Sequence, residues 1–209
     1  DKSTLGTLRR LRPLSHGLFT SDTGESTWSR PHGILMPNFT QKAMRGYHPM
    51  MLDIAQQLVM KWARLNPDDE VDVVRDMTAL TLDTIGLCGF GYRFNSFYRD
   101  GFHPFVDALT RSLETVQRRR GIPLERWWLR REMARMRRDV AEMHAMVEAI
   151  VRERRASGLG PAEAPDLLSW MLAGVDKASG QGLDDRAIRD ECMEFLIADR
   201  IRIHPLAAA

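Results

Sequence analysis

Residues 73–88, which read VVRDMTALTLDTIGLC, decide the fold class. Their apolar side chains fall on more than one face of a helix and are Met77, Leu80, Leu82, Ile85 and Leu87. A helix that is apolar on several faces is surrounded by protein, whereas a surface helix has a single apolar stripe. The sequence therefore predicts a central core helix here. Glycines 86, 89 and 91 end the pattern.

Helical periodicity continues on both sides of this segment. Apolar residues at steps of three and four predict further helices over 50–65, from 103–104 to the break at 121–123, over about 133–157, over 166–172 and from 184–185 to 198. Residues 158–165 are the clearest linker, and 174–182 are rich in turn-forming residues. Strand signals are scarce. The chain is predicted to be mainly α, with little strand.

The composition excludes several classes of protein. The chain has 209 residues, 44% hydrophobic and 28% charged, as in ordinary globular domains. No apolar run approaches the roughly 18 residues of a membrane span. Two cysteines are too few for a disulfide scaffold or a four-cysteine zinc site, so we expect a reducing, cytoplasmic setting. The net charge of +2 implies no overall attraction to nucleic acid.

A basic stretch spans residues 111–138, with ten arginines against three glutamates. It carries no groove-reading motif, so it does not predict a nucleic-acid interface. Arginines opposite an apolar stripe are what a solvated helix face requires. The alternative is a helical binding module that docks an acidic partner through this face.

Trp28 and His32 form the sharpest polar pair. Four residues apart, they project to one side of a helix, and each can donate a ring N–H to the same anion. That arrangement suits a carboxylate-bearing ligand, although ordinary packing explains such pairs as well. Pro31 between them is expected to strain any helix beyond its first turn.

The other candidates have structural explanations. The six histidines lack the paired spacing of zinc hydrolases. The glycines of residues 86–91 end a helix where a nucleotide loop would begin one. Cys88 and Cys192 are predicted to be buried, inert thiols. The neighbouring carboxylates at 68–70 and 184–185 are explained as helix caps.

Several segments together resemble the cytochrome P450 family. The segments are 17–20 (GLFT), Trp28 with His32, 36–39 (MPNF) and 76–90. Residues 92–100 and 195–198 further resemble the bacterial self-sufficient fatty-acid hydroxylases, whose haem domain is fused to a flavin reductase. The resemblance covers residues 17–198.

The resemblance implies a fold and a set of site residues. Residues 1–198 would form the central part of a haem monooxygenase domain, from helix C through the first half of helix I. Trp28 and His32 would then hydrogen-bond a haem propionate. Leu18 and Phe19 would lie in the loop before helix C, with Leu18 as a haem contact. The Phe19 ring would lie over the distal haem face and shape the substrate pocket. Ile197 and Ala198 would line the substrate pocket.

The resemblance also implies a reaction. The family inserts one oxygen atom of dioxygen into an unactivated C–H bond, and haem performs the chemistry while the protein orients the reactants. A cysteine thiolate on the iron favours O–O cleavage. In the fused enzymes electrons reach haem from NADPH through FAD and FMN of the reductase, and the expected substrates are fatty acids or similar long apolar molecules.

This sequence departs from the family pattern at two places. After Ala198, where the family has a glycine, an acid and threonines, it has residues 199–202, DRIR. Neither Cys88 nor Cys192 lies in the family's haem-ligand loop. The resemblance thus leaves no catalytic or metal-binding residue in the chain, which we expect to be inactive alone and poorly soluble.

We interpret 199–209 as an unrelated tail, from a shifted reading frame or a truncated gene. A third interpretation is a haem protein with a non-thiolate ligand such as histidine.

Overall fold

The structure is a computed structural model that describes residues 6–119 and 125–203, with side chains over 8–119 and 127–198. Within these ranges the chain forms nine α-helices, two 3-10 helices and no strand, which confirms the mainly α prediction. The α-helices are α1 (Gly6–Arg9), α2 (Ser26–Leu35), α3 (Gln41–Trp62), α4 (Val73–Phe90), α5 (Pro104–Arg118), α6 (Glu125–Trp128), α7 (Arg130–Ser157), α8 (Leu167–Ala173) and α9 (Asp185–Ile203). The 3-10 helices are Met36–Phe39 and Ser96–Tyr98.

Helix α4 is the predicted core helix. It begins after Asp72, whose side chain accepts a hydrogen bond from the Arg75 amide at 3.0 Å. It ends at Gly91, where φ is +63°, a conformation that glycine adopts without steric cost. Helices α3, α8 and α9 pack against it. Because protein covers α4 on several sides, its apolar residues need no single stripe.

The longest helices complete the core. Helix α5 packs along α7, and α9 packs against both α4 and α7. The α9 residues Ile188, Met193 and Leu196 are almost fully buried. Helix α7 ends at Gly158, as predicted, with φ at +66°. The core therefore lies between α4, α5, α7 and α9, and the segment before α2 contacts α9 through Glu191 and Glu194.

Two predicted helix boundaries are wrong. Helix α3 begins at Gln41 rather than residue 50, because the Thr40 hydroxyl caps the Ala43 amide at 3.3 Å and Pro49 is accommodated inside the helix. Helix α9 does not give way after Ala198 but continues to Ile203. No proline or glycine interrupts residues 199–203, so the backbone can remain helical where the family-like pattern stops.

No helix in the described ranges is both long enough and apolar enough to span a bilayer.

Candidate functional site

Trp28 and His32 lie one turn apart on α2. Their ring centroids are 4.4 Å apart and their planes differ by 20°, so the rings stack on one side of the helix. Pro31 does not end this helix, contrary to expectation, and α2 runs through it to Leu35. The proline removes one N–H donor, but the turns on either side remain hydrogen-bonded.

The Trp28 and His32 rings each carry an N–H group that can donate a hydrogen bond to a ligand. Both are half-buried, and within the described residues neither ring makes a hydrogen bond. Met36 and Phe39, in the 3-10 helix that follows α2, are 53% and 46% exposed. Two ring N–H donors on one side of a helix can bind the same carboxylate-bearing ligand.

The loop before α2 is held by the last helix. Residues 15–20, here called the 15–20 loop, lie against the buried carboxylates of Glu191 and Glu194 on α9. Glu194 accepts hydrogen bonds from the Gly17 amide at 3.0 Å and the Phe19 amide at 2.5 Å. Glu191 accepts from the Leu18 amide at 3.0 Å. These bonds fix the backbone of both predicted loop residues.

A second set of contacts fixes the start of α2. The carboxylate of Glu25, at the helix N-terminus, accepts from the Arg12 guanidinium at 3.0 Å and lies 3.1 Å from the His16 ring. The hydrogen bond to His16, followed by those to Arg12, holds the pKa of Glu25 below its ordinary value. The segment before the 15–20 loop and the first turn of α2 are thereby tied together.

An apolar cavity of about 180 Å³ lies beside the 15–20 loop. Its lining residues are Leu8, Leu11, Ser15, Phe19, Thr20, Glu194, Ile197 and Ala198. The structure therefore brings together the three residues predicted to contact substrate, which are Phe19, Ile197 and Ala198. Leu18, Trp28 and His32 do not line this cavity. The volume is below that of typical ligand pockets, so the described residues form a wall of a site rather than an enclosed one.

Three aromatic rings meet at one edge of this wall. The Phe195 ring contacts the Phe19 ring edge-on, with centroids 5.9 Å apart, and stacks on the Phe39 ring at 6.1 Å. Sequence analysis missed Phe39, Phe195 and Glu194 as site residues. The available signal was Glu194 itself, an acid within the apolar run of residues 192–198. A charge in such a run is costly unless it is hydrogen-bonded.

Neither cysteine has the properties of an exposed metal ligand. Cys88 and Cys192 are free and buried, as predicted. Burial raises the pKa of the Cys88 thiol to about 11 and raises that of Cys192 as well. In the described ranges, no group of three or more His, Cys, Asp or Glu side chains is placed to hold a metal ion.

The basic stretch divides into paired and exposed arginines. Arg111 forms a two-point ion pair with the buried Asp139 carboxylate, at 2.7 and 3.2 Å, and so belongs to the α5–α7 contact. The arginines of the basic stretch that are exposed on α7 are Arg130, Arg131, Arg135, Arg137 and Arg138. Trp127 and Trp128, just before them, are 68% and 72% exposed. Residues 120–124 lie outside the described residues.

Comparison with known proteins gives a consistent result. The family model described as cytochrome P450 matches residues 2–199. The chain is 50% identical over 200 residues to a bifunctional cytochrome P450/NADPH–P450 reductase of Bacillus cereus, covering 95% of this chain and 19% of that protein. It is 48% identical to the bifunctional cytochrome P450/NADPH–P450 reductase 2 of Bacillus subtilis, with the same 95% and 19% coverage.

A fungal relative extends the comparison. The chain is 43% identical over 194 residues to a self-sufficient cytochrome P450 monooxygenase of Exserohilum turcicum, covering 91% of this chain and 18% of that protein. The chain thus spans about a fifth of the length of the curated relatives it matches.

Proposed function

Because this chain belongs to the cytochrome P450 family, we propose that residues 1–198 are the central part of the haem domain of a monooxygenase for fatty acids or similar long apolar substrates. The observation that carries this proposal is the stacked Trp28–His32 pair, whose rings lie on one side of α2 and make no hydrogen bond within the described residues. Haem, when bound, supplies the activation of dioxygen.

The chain's own residues bind and orient in this proposal. Trp28 and His32 would donate hydrogen bonds to a haem propionate. Leu18 and Phe19, held by α9, would face the distal side. The apolar wall formed by Phe19, Ile197 and Ala198 would receive the substrate chain and exclude water from it. An NADPH–P450 reductase, which the names of the fused relatives print, would be the electron-donating partner, with FAD and FMN as its flavins.

The thiolate ligand of the iron is not supplied by this chain in the proposal. Both cysteines are buried thiols, with pKa values raised by that burial. We therefore propose that the 209 residues alone bind haem weakly, without a thiolate spectrum, and do not turn over substrate. The free cysteines fit the proposed cytoplasmic setting.

Haem titration of the 209-residue chain, followed by absorbance, tests the proposal. Trp28→Phe keeps a ring but removes its N–H, and His32→Leu removes the imidazole. Because a hydrogen bond to a charged group contributes about 1.5–3 kcal/mol, each change should weaken haem affinity by about tenfold or more. Matched controls are Trp170→Phe and His48→Gln, at exposed positions on α8 and α3, which should leave the affinity unchanged.

Two results would count against this proposal. One is stoichiometric haem uptake that the Trp28 and His32 variants do not alter. The other is no haem uptake by a chain that is folded by circular dichroism.

The binding-module alternative remains a separate proposal. The exposed arginines of α7 and the neighbouring Trp127 and Trp128 are the observation in its favour. It predicts partner affinity that falls steeply with salt, since exposed charges are screened beyond about 10 Å at 0.1 M. Retention on an acidic protein column that vanishes in 0.5 M salt, and in an R131E/R135E variant, would support it, and salt-independent retention would reject it.

A further inference from the structure

The Glu194 carboxylate on α9 accepts several hydrogen bonds from the 15–20 loop. The side chain is covered by the 15–20 loop, and the residue is 2% exposed. Its Oε1 atom accepts from the Gly17 amide at 3.0 Å and from the Thr20 hydroxyl at 2.5 Å. The Ser15 hydroxyl lies 3.4 Å from the same oxygen, at the limit of a hydrogen bond. Its Oε2 atom accepts from the Phe19 amide at 2.5 Å.

These donors explain why a carboxylate is tolerated there. Burying a charged group costs several kcal/mol, roughly, unless hydrogen bonds replace its water. Buried amides need acceptors, and the Gly17 and Phe19 amides of the 15–20 loop find one in this carboxylate. The carboxylate and the loop therefore satisfy each other across about 175 residues of sequence.

Space around the loop leaves it little freedom. A Cβ atom built on Gly17 would lie 2.5 Å from Glu191 Oε1 and 2.9 Å from Glu191 Cδ. The loop backbone is thus in direct contact with α9. Glu191 holds the intervening Leu18 amide, so three successive amides are directed at two carboxylates one helical turn apart.

Phe19 is held at both its backbone and its ring. Glu194 takes its amide, and the next residue along α9, Phe195, contacts its ring edge-on at 5.9 Å. The Phe19 ring lines the 180 Å³ cavity opposite Ile197 and Ala198. The width of that cavity therefore depends on where the 15–20 loop is held.

We infer that Glu194 is a positioning residue that fixes the 15–20 loop and thereby sets the Phe19 ring at the wall of the apolar cavity. The inference deepens the proposed function and rests on it for the identity of the ligand. Glu194 itself does not contact substrate in this proposal. It acts through Phe19. Its Oε1 atom binds the Gly17 amide and the Thr20 hydroxyl, whereas its Oε2 atom binds the Phe19 amide.

The division between the two oxygens gives a sharp test. In Glu194→Gln, the amide oxygen can keep the Gly17 and Thr20 donors, whereas the NH₂ group faces the Phe19 amide, donor against donor. We expect hydrogen exchange of the Phe19 amide to accelerate by about tenfold, the size of one lost hydrogen bond, with little change at Gly17. In Glu194→Ala, both amides should exchange faster, and nuclear Overhauser effects between the Phe19 and Phe195 rings should weaken.

The exchange is measured residue by residue by NMR on the 209-residue chain. The matched control is Glu148→Gln, an exposed carboxylate on α7 that pairs with Arg189 at 3.1 Å and should leave the loop amides unchanged. A merely structural role would accelerate the core amides of α4 and α7 together with the loop. That result, or unchanged exchange at Phe19 in Glu194→Gln, would overturn the inference. If Glu194→Ala fails to fold, the Gln variant still decides.

The same samples separate this inference from the proposed function. Exchange of the loop amides is measured without haem, and haem titration of each variant is a second experiment. Loss of haem binding in the unsubstituted chain would contradict the proposed function alone. Unaltered Phe19 exchange in a chain that binds haem would contradict the Glu194 inference alone.

Discussion

The Arg154 guanidinium makes a two-point ion pair with the Asp166 carboxylate, with N–O distances of 2.7 and 2.6 Å. The same guanidinium donates to the Phe90 carbonyl at 3.1 Å and to the Ser169 hydroxyl at 2.5 Å. One side chain of α7 thus joins the end of α4 to the start of α8. Arg154 and Asp166 side chains are only 11% and 5% exposed, so this pair is shielded from solvent.

Removal of Arg154 should destabilise the chain strongly. Arg154→Met leaves the Asp166 carboxylate buried without its cation, which costs about 3–5 kcal/mol of unfolding free energy. The neighbouring Arg155 pairs with Asp185 on the surface, where both side chains are about half exposed or more, so Arg155→Met should cost about 1 kcal/mol or less. Urea unfolding followed by circular dichroism measures both. Equal losses from the two substitutions would show that burial of the Arg154 pair adds nothing.

Asp76 should give a pH-dependent stability. Burial raises its pKa, but hydrogen bonds from the Lys61 ammonium and from the Trp62 indole, at 2.7 Å, outweigh that effect and hold the pKa below 3.8. A lowered folded-state pKa adds stability above pH 3.8, and this stability is lost as the pH falls through the folded-state value. Asp76→Asn should therefore lose about 1–3 kcal/mol at pH 7 and progressively less below pH 4.

The control for this prediction is Asp68→Asn, at an exposed position. Its unfolding free energy should follow that of the unsubstituted chain at every pH. A difference between Asp76→Asn and the unsubstituted chain that is the same at pH 3 and pH 7 would contradict the ionic role of Asp76. The measurement is urea unfolding at intervals between the two pH values.

The local sequence patterns predicted the helices but not the tertiary contacts between them. Apolar residues on several faces identified α4, and Gly158 marked the end of α7, because both signals depend on neighbours in sequence. The contact of Glu194 with Gly17 and Phe19 joins residues about 175 apart, and no periodicity records it. An acid in an apolar run signals that a partner exists without identifying it.

The site residues divide in the same way. The i, i+4 spacing placed Trp28 and His32 together, since α2 forms despite Pro31. The resemblance predicted Phe19, Ile197 and Ala198 as residues of the substrate pocket, and all three line the apolar cavity. Phe39 was missed because its contact with Phe195 is made through tertiary packing alone. The continuation of α9 to Ile203 could not be predicted from the change of pattern after Ala198, because such a change does not by itself end a helix.

The two thiols should be unreactive in the folded chain. The thiolate is the nucleophile, and burial raises the pKa of Cys88 to about 11 and that of Cys192 further above its usual range. At pH 8, iodoacetamide should label neither cysteine in the native chain and both in 6 M guanidinium, as mass spectrometry would record. Cys88→Ala and Cys192→Ala should each retain the haem affinity of the unsubstituted chain. Native labelling at the rate of a free thiol, or loss of haem binding in either variant, would contradict the assignment of both as structural.

Substitution of two α4 glycines by alanine should change the free energy of unfolding in opposite directions, with Gly86→Ala destabilising and Gly89→Ala stabilising the chain. A Cβ atom on Gly86 would lie 2.7 Å from the Phe94 ring and 2.8 Å from the Tyr92 carbonyl oxygen. Phe94 is fully buried, so its ring cannot move away without disturbing the core, and such overpacking costs about 1–3 kcal/mol. On Gly89, the nearest atom to the added Cβ is Leu167 Cδ1 at 4.0 Å, an ordinary contact.

Gly89→Ala should therefore keep the packing and gain the helix preference of alanine, about 0.5–1 kcal/mol. Both glycines are helical and buried, so the two variants differ mainly in the space available to one methyl group. Thermal and urea unfolding of the two variants should place them on opposite sides of the unsubstituted chain. If Gly86→Ala were as stable as Gly89→Ala, the close approach of residues 92–94 to α4 would be wrong, because that approach is what excludes a side chain at position 86.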